Sequence, residues 1–235
     1  MYSNIFLITG HNSMLGGSLV KRLNETCENS EFYLISKSGK KLNMKIRNQN
    51  KFYYFNVDFN DINRLVKKIR YINKLSKFRI RVLILCAAIK RHECFKSTSL
   101  KNFQNDINVN YISNIAILKF LFSKRNNNNF HVINIASGAG VTGIMNNSSY
   151  SSSKGATQNL IESLYHEFDN KNFFFKNIFT GIFKNKEQSK YLAKKIVNNL
   201  YSKKNNIFLR IYPFYSFFLK MFPKFKLYIF KNIKL

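Results

Sequence analysis

Acidic side chains are scarce in this sequence: 11 Asp and Glu stand against 39 Lys and Arg, a formal net charge of +28 at pH 7. Thiols and turn formers are few as well, with 3 Cys, 2 Pro and 9 Gly in 235 residues. Cys27, Cys86 and Cys94 show no Cys-x-x-Cys spacing, and their odd number supports neither a disulfide framework nor a metal knuckle. They read as reduced thiols, with Cys86, inside an apolar run, in the core. Strand-like hydrophobic sequence begins at "NIFLITG" from Asn4, which leaves no room for a secretory leader, so a cytoplasmic protein is expected. Because glycine is rare, each cluster of it carries information.

The cationic excess suits an anionic partner such as nucleic acid, a membrane surface or a phosphorylated ligand. It is spread along the chain, however, and Lys, Asn, Ile, Phe and Tyr abound throughout, including "RNNNN" at Arg125 to Asn129, so compositional bias explains it equally well. No RNA-binding or helix-turn-helix motif accompanies the charge, and nucleic acid is not the expected partner.

A chain of this length at 45% hydrophobic fits one domain with a substantial core. Short apolar runs alternate with stretches of helical period, the pattern of repeated βαβ units. Strands are predicted at Asn4 to Thr9, Phe32 to Ser36, Phe52 to Val57, Arg81 to Ala88, His131 to Ser137 and Phe173 to Phe179, with a seventh at Asn206 to Tyr212. Helices are predicted at Leu15 to Leu23, Ile62 to Leu75, Leu100 to Phe122, Tyr150 to Phe168 and Glu187 to Tyr201. The expected fold is α/β: a Rossmann-like, doubly wound parallel sheet of about seven strands flanked by helices, in a single domain over residues 1–212.

The first glycine cluster, "TGHNSMLGG" at Thr9 to Gly17, joins a predicted strand to a predicted helix. Such a loop aims backbone N–H groups and a helix N-terminus at a dinucleotide pyrophosphate, or it is a plain strand-to-helix turn. Thr9, Gly10, Asn12, Ser13, Met14, Leu15 and Gly16 are its candidate cofactor-binding residues. Asp58 follows the third strand, and "CAAI" with Ala87 and Ala88 ends the fourth, along the crevice where a dinucleotide would rest. Asp61 reads as the cap of the following helix.

The stretch "SSYSSSKGA", Ser148 to Ala156, sets Tyr150 four residues before Lys154 at the start of a predicted helix. Tyr-x-x-x-Lys is a weak motif in so tyrosine- and lysine-rich a chain, and it recurs at Tyr33/Lys37 and Tyr191/Lys195. Within a strand, residues four apart are separated by about 13 Å, which disqualifies Tyr33 and Lys37. Tyr191 and Lys195 share a helix but follow no strand-end serine, and they read as a surface pair. On a helix Lys154 lies beside Tyr150, where its ammonium would lower the phenol from its ordinary pKa of about 10. Ser137, at the end of the preceding strand, is placed to hydrogen-bond a substrate carbonyl.

In these residues the sequence resembles the short-chain dehydrogenase/reductase family, over Ile5 to about Tyr212. The family's Thr-Gly-x-x-x-Gly-x-Gly loop is matched by Thr9, Gly10 and Gly16, its adenine-side Asp by Asp58 and its helix asparagine by Asn110. Ser137, thirteen residues before Tyr150, completes a tetrad with Tyr150, Lys154 and Asn110. The resemblance implies that Tyr150 gives a proton to the carbonyl oxygen while a nicotinamide delivers hydride to the carbon. It also implies that Ser137 polarises the carbonyl, that Lys154 holds the nicotinamide ribose and lowers the tyrosine pKa, and that Asn110 supports a proton-supplying water. A homo-oligomer, dimer or tetramer, is implied too. Met14 replaces the loop's middle glycine, "CAAI" keeps one residue of the family's Asn-Asn-Ala-Gly, and Thr180-Gly181 replaces Pro-Gly near the nicotinamide amide. These departures leave open a catalytically silent nucleotide-binding protein as the alternative.

The second strand ends in "LISKSGKK" without an acidic residue, and Ser36, Lys37 and Ser38 suit a 2′-phosphate, which favours NADP(H) over NAD(H). From Pro213 the chain mixes Phe, Tyr and aliphatic residues with Lys220, Lys224, Lys226, Lys231 and Lys234. That tail, residues 213–235, is too interrupted by charge to span a bilayer, but it suits the headgroup region of an anionic membrane or the cover of an apolar edge. The membrane reading would make the protein peripheral and its carbonyl substrate lipidic or a lipid-linked sugar.

Overall fold

The protein is described here from a computed structural model, which covers residues 4–77, 79–123, 129–168, 172–181, 183–202 and 204–209. Seven strands form one parallel sheet: β1 Ile5–Thr9, β2 Glu31–Ser36, β3 Lys51–Asn56, β4 Val82–Leu85, β5 Phe130–Ala136, β6 Phe173–Phe179 and β7 Asn206–Phe208. Their order is β3-β2-β1-β4-β5-β6-β7, so the winding reverses between β1 and β4. The central strands read as unbroken apolar runs because helices cover both faces of the sheet.

Alternation along each strand sorts the core into two halves. On one face Leu7, Leu83, Val132 and Phe175 pack against Leu65 and Ile69 of α2 (Ile62–Leu75), Leu118 of α4 (Ser113–Phe122) and Ile161 of α6 (Ser148–Glu167). On the other, Phe6, Ile8, Ile84 and Ile178 meet Leu19 and Leu23 of α1 (Met14–Thr26) and Leu192 and Ile196 of α7 (Lys186–Asn198). Each such aliphatic side chain contributes about 1.5–3 kcal/mol by leaving water. Toward the β3 edge, Phe6, Phe32 and Phe52 stack at centroid spacings of 4.9 and 4.7 Å, tying β1, β2 and β3 together.

The expected doubly wound sheet is present, and Asp61 caps α2 by accepting from the Arg64 N–H at 2.9 Å. Three local expectations are corrected. β4 ends at Leu85 rather than Ala88, because the Thr9 hydroxyl takes the Cys86 and Ala87 N–H groups at 3.0 and 3.1 Å and draws them out of the ladder. The helix expected from Leu100 to Phe122 is α3 (Leu100–Ile107) and α4 separated by a π-helical turn, Asn108–Ile112. A short helix, α5 (Gly138–Val141), follows β5 where no element was expected. The seventh strand is present through Phe208, whereas its remaining predicted residues from 210 and the tail, 213–235, lie outside the described residues. Among the described residues no helix is long and apolar enough to cross a membrane.

Candidate active site

The carboxyl ends of β1, β4, β5 and β6 open onto a cavity of about 430 Å³ at the reversal of strand order, where ligands of open α/β sheets lie. Its floor starts with the glycine loop. Gly10 takes a left-handed φ of +72°, and a Cβ on it would sit 2.7 Å from the Ala87 backbone. A Cβ on Gly16 would fall 2.2 Å from the Gly10 carbonyl, so both positions admit only glycine and the loop lies flat on the chain that follows β4. Ser13 caps α1 by accepting from the Gly16 N–H at 3.0 Å, and Ser13, Met14 and Leu15 border the cavity. The half-exposed Met14 side chain therefore borders the space in which the family keeps a glycine.

Several loop candidates act from beneath rather than by contact. The Thr9 hydroxyl is fully buried and spent on Cys86 and Ala87, and Ala87 itself is buried. The Asn12 side-chain amide lies 3.0 Å from Ser36 Oγ; with its oxygen and nitrogen oriented to satisfy both, it also accepts from Lys40 N at 3.1 Å and donates to Lys40 O at 2.9 Å. Ser36, expected to offer a hydroxyl to a phosphate, is buried and accepts from Gly39 N at 3.0 Å, so it shapes the loop after β2 instead. Lys37 stays exposed and pairs with Asp58 at 2.9 Å, and the Asn60 N–H, with this contact second, holds the Asp58 carboxyl below its usual range.

Ser137, Tyr150 and Lys154 converge on the cavity, as does Gly181 with φ +69°, and Ala88 lines it too. Ser137 ends β5 in extended backbone and caps α5 through the Ala139 N–H at 3.2 Å, while its carbonyl accepts from Gln158 Nε2 at 2.7 Å. Lys154 reaches from α6 to the end of β5, donates to the Ile135 carbonyl at 2.9 Å, and places Nζ 6.0 Å from the Tyr150 ring centre. The expected acidification of the phenol is overturned. Burial raises Tyr150 above its ordinary value, outweighing the hydrogen bond from Ser137, and burial lowers Lys154 to about 8.

Asn110 sits in the π turn with its Oδ1 accepting from Ile89 N at 2.7 Å and its Nδ2 donating to Ile89 O and Ser153 Oγ, each at 2.9 Å. Its carbonyl receives Thr157 Oγ1 at 2.9 Å and Asn114 Nδ2 at 2.8 Å. Asn110 is thus a brace between the chain after β4 and α6, and the extra residue of the π turn is what turns it inward.

Sequence reading missed the rest of that bracing. Asp106, fully buried in α3, accepts from Ser149 Oγ at 2.7 Å at the foot of α6 and from Arg91 Nε at 2.9 Å. Ser153 donates to the Tyr150 carbonyl at 2.9 Å and Ser151 accepts from Ile144 N at 3.3 Å, so the serines of "SSYSSSKGA" hold the helix in place. A Cβ on Gly140 would come within 2.7 Å of the Gly155 N, which makes these two glycines the contact between α5 and α6. The one legible signal was that Gly155 directly follows Lys154 in a glycine-poor chain. The two rejected pairs are elsewhere: Tyr33 is buried in β2 with its hydroxyl on Glu31 at 2.8 Å, and Tyr191 and Lys195 form an exposed pair on α7.

The family model for short chain dehydrogenases matches residues 4–195. No curated protein matches the sequence. Among solved structures, a short chain dehydrogenase from Burkholderia cenocepacia in complex with NADP is 13% identical over 99% of this chain and 98% of its own, with a TM-score of 0.80. A short-chain dehydrogenase from Streptomyces avermitilis is 13% identical over 98% and 96%, with a TM-score of 0.79. An oxidoreductase of the same family from Brucella ovis, in complex with a partially ordered NAD, is 18% identical over 89% and 100%, with a TM-score of 0.73. At these identities the likeness is one of fold.

Proposed function

The chain belongs to the short-chain dehydrogenase family of NAD(P)-dependent oxidoreductases acting on alcohol and carbonyl groups, and from that premise we propose that it reduces a carbonyl with NADPH or runs the reverse oxidation. The observation that carries the reading is the convergence of Ser137, Tyr150 and Lys154 on one cavity beside a glycine loop whose Gly10 and Gly16 admit no side chain. The residues present fit a dinucleotide: flat loop, α1 N-terminus, and a buried lysine whose ammonium has N–H groups to spare beyond Ile135. When bound, the cofactor supplies the hydride.

Tyr150, kept protonated across neutral pH by burial, is the proton donor to the carbonyl oxygen. The Ser137 hydroxyl hydrogen-bonds the same oxygen as its charge grows. Lys154, charged below about 8, presents its ammonium to the ribose hydroxyls. NADP(H) is preferred over NAD(H) because exposed Lys37 and Ser38 follow β2 and no carboxylate ends that strand; Asp58 holds Lys37 at this rim. Residues 1–212 form the catalytic domain, which works as a homo-oligomer, and residues 213–235 rest on an anionic membrane, where the substrate is lipidic or lipid-linked.

Following NADPH absorbance against a panel of carbonyl compounds, with Tyr150→Phe as control, tests the assignment. Turnover that the substitution abolishes is expected, and turnover that survives it would overturn the mechanism. Co-sedimentation with anionic vesicles, with and without residues 213–235, checks the tail.

A further inference from the structure

One strip of the cavity wall has no part in the chemistry above. After β4 the chain runs from Cys86 to a parallel bridge between Glu93 and Asn147, where Glu93 N donates to Asn146 O at 2.7 Å. Ala88, Lys90 and His92, alternate residues of that strip, line the cavity. Between them, the Ile89 backbone is held by the Asn110 amide while its side chain packs against the core, and Arg91 is held by buried Asp106. The strip is therefore held at three points, and its cavity side carries two nitrogen bases.

His92 is oriented as a donor. Asn147 Nδ2 gives one hydrogen to Met145 O at 3.0 Å and the other to His92 Nδ1 at 3.1 Å, which makes Nδ1 the acceptor and leaves the proton on Nε2. Lys90 adds an exposed ammonium. Among the described residues no carboxylate lines the cavity to neutralise them. Asn147, which holds His92, immediately precedes α6 three residues before Tyr150, and Lys90, His92 and Tyr150 line the same cavity.

We propose that Lys90 and His92 form the subsite for an anionic group on the substrate, so that the enzyme acts on a carbonyl compound carrying a carboxylate or phosphate a few bonds from the reacting carbon. This rests on the oxidoreductase reading for the carbonyl but not for the anion. Hydrogen bonds to a charged group from two positioned donors favour the charged substrate by roughly tenfold to a hundredfold.

The experiment compares kcat/KM, with NADPH, for two matched pairs: acetoacetate against its methyl ester, and dihydroxyacetone phosphate against dihydroxyacetone. Wild-type enzyme should favour the anion in at least one pair, which names carboxylate or phosphate as its source, and Lys90→Met with His92→Gln should bring that ratio toward one through KM, with melting curves confirming the fold. No anion preference in either pair, or a preference that survives the double substitution, overturns the proposal. Calorimetric binding of acetoacetate and of inorganic phosphate to the same proteins decides the matter if none of the four compounds turns over. Binding lost on substitution then supports the subsite while the oxidoreductase reading alone is in question, and no binding to wild type overturns it.

Discussion

Among the described residues two lysines are buried, and burial lowers each to about 8, yet their surroundings differ. Lys176, in the middle of β6, donates to the carbonyls of Asn199, Leu200 and Ser202 at 3.1, 2.9 and 2.6 Å. It closes the carboxyl end of α7, where unpaired carbonyls and the helix dipole favour a cation. Lys154 donates to one carbonyl, that of Ile135, and faces the cavity. A buried ammonium with its hydrogens spent is a fastener; one with hydrogens to spare at the end of a parallel sheet is a site. A lowered pKa by itself does not tell them apart, since desolvation is the leading cause in both.

Exchanging the two for methionine is the most direct way to break the contrast. Lys154→Met should cut NADPH-dependent turnover by about 100-fold or more with little change in melting temperature. Lys176→Met should do the reverse, costing roughly 1–3 kcal/mol of stability as three carbonyls lose their donor while activity per folded molecule persists. Denaturant titration alongside steady-state rates would show equal losses in both variants if the distinction is false.

Gly140→Ala tests whether the lysine is placed by the α5–α6 contact. The added Cβ would press on Gly155 and Gln158 at 2.7 and 2.5 Å, so α6 must shift. A stability loss of about 1–3 kcal/mol is expected, with a loss of turnover exceeding what the unfolded fraction explains.

The pH dependence of binding sharpens the contrast further. Lys154 is charged below about 8 and neutral above it, and a cofactor that prefers the ammonium must take up a proton at higher pH. Affinity for NADPH should hold from pH 6 to 8 and weaken by up to about tenfold per unit beyond, a slope measurable by fluorescence titration. Lys154→Met should be flat, whereas Lys176→Met should keep the slope.

The smallest expected effect lies beside Lys176. His131 is lowered from 6.5 to about 4 by burial and by the charge of Lys176. A depressed folded value means the contribution to stability is complete above about 6.5 and is lost as pH falls toward 4. His131→Phe should flatten the acid side of the stability curve in urea melts, and Lys176→Met should flatten it partly.

The succession of strands and helices along the chain, the glycine loop and the placement of Ser137, Tyr150 and Lys154 were legible because each depends on local rules: apolar runs bounded by turns, glycine where no Cβ fits, and the i, i+4 face of a helix. The burial of Ser36 was not legible, because an exposed and an inward serine at a strand end look alike in sequence. The bracing contacts of Asn110 were not legible for a related reason, since its partners Ile89, Ser153, Thr157 and Asn114 come from three segments. The pKa shifts were missed because proximity is a sequence property of helices and desolvation is not.

What the sequence determined by itself, then, is the periodicity that makes a parallel α/β sheet and the spacing that stacks a tyrosine over a lysine. Tertiary structure alone decided which lysine keeps free hydrogens, which serines are braces, and that the strip of Lys90 and His92 faces the same cavity as Tyr150. Those outcomes depend on the solvent exposure and hydrogen-bond partners of groups distant in sequence, which only the assembled fold sets.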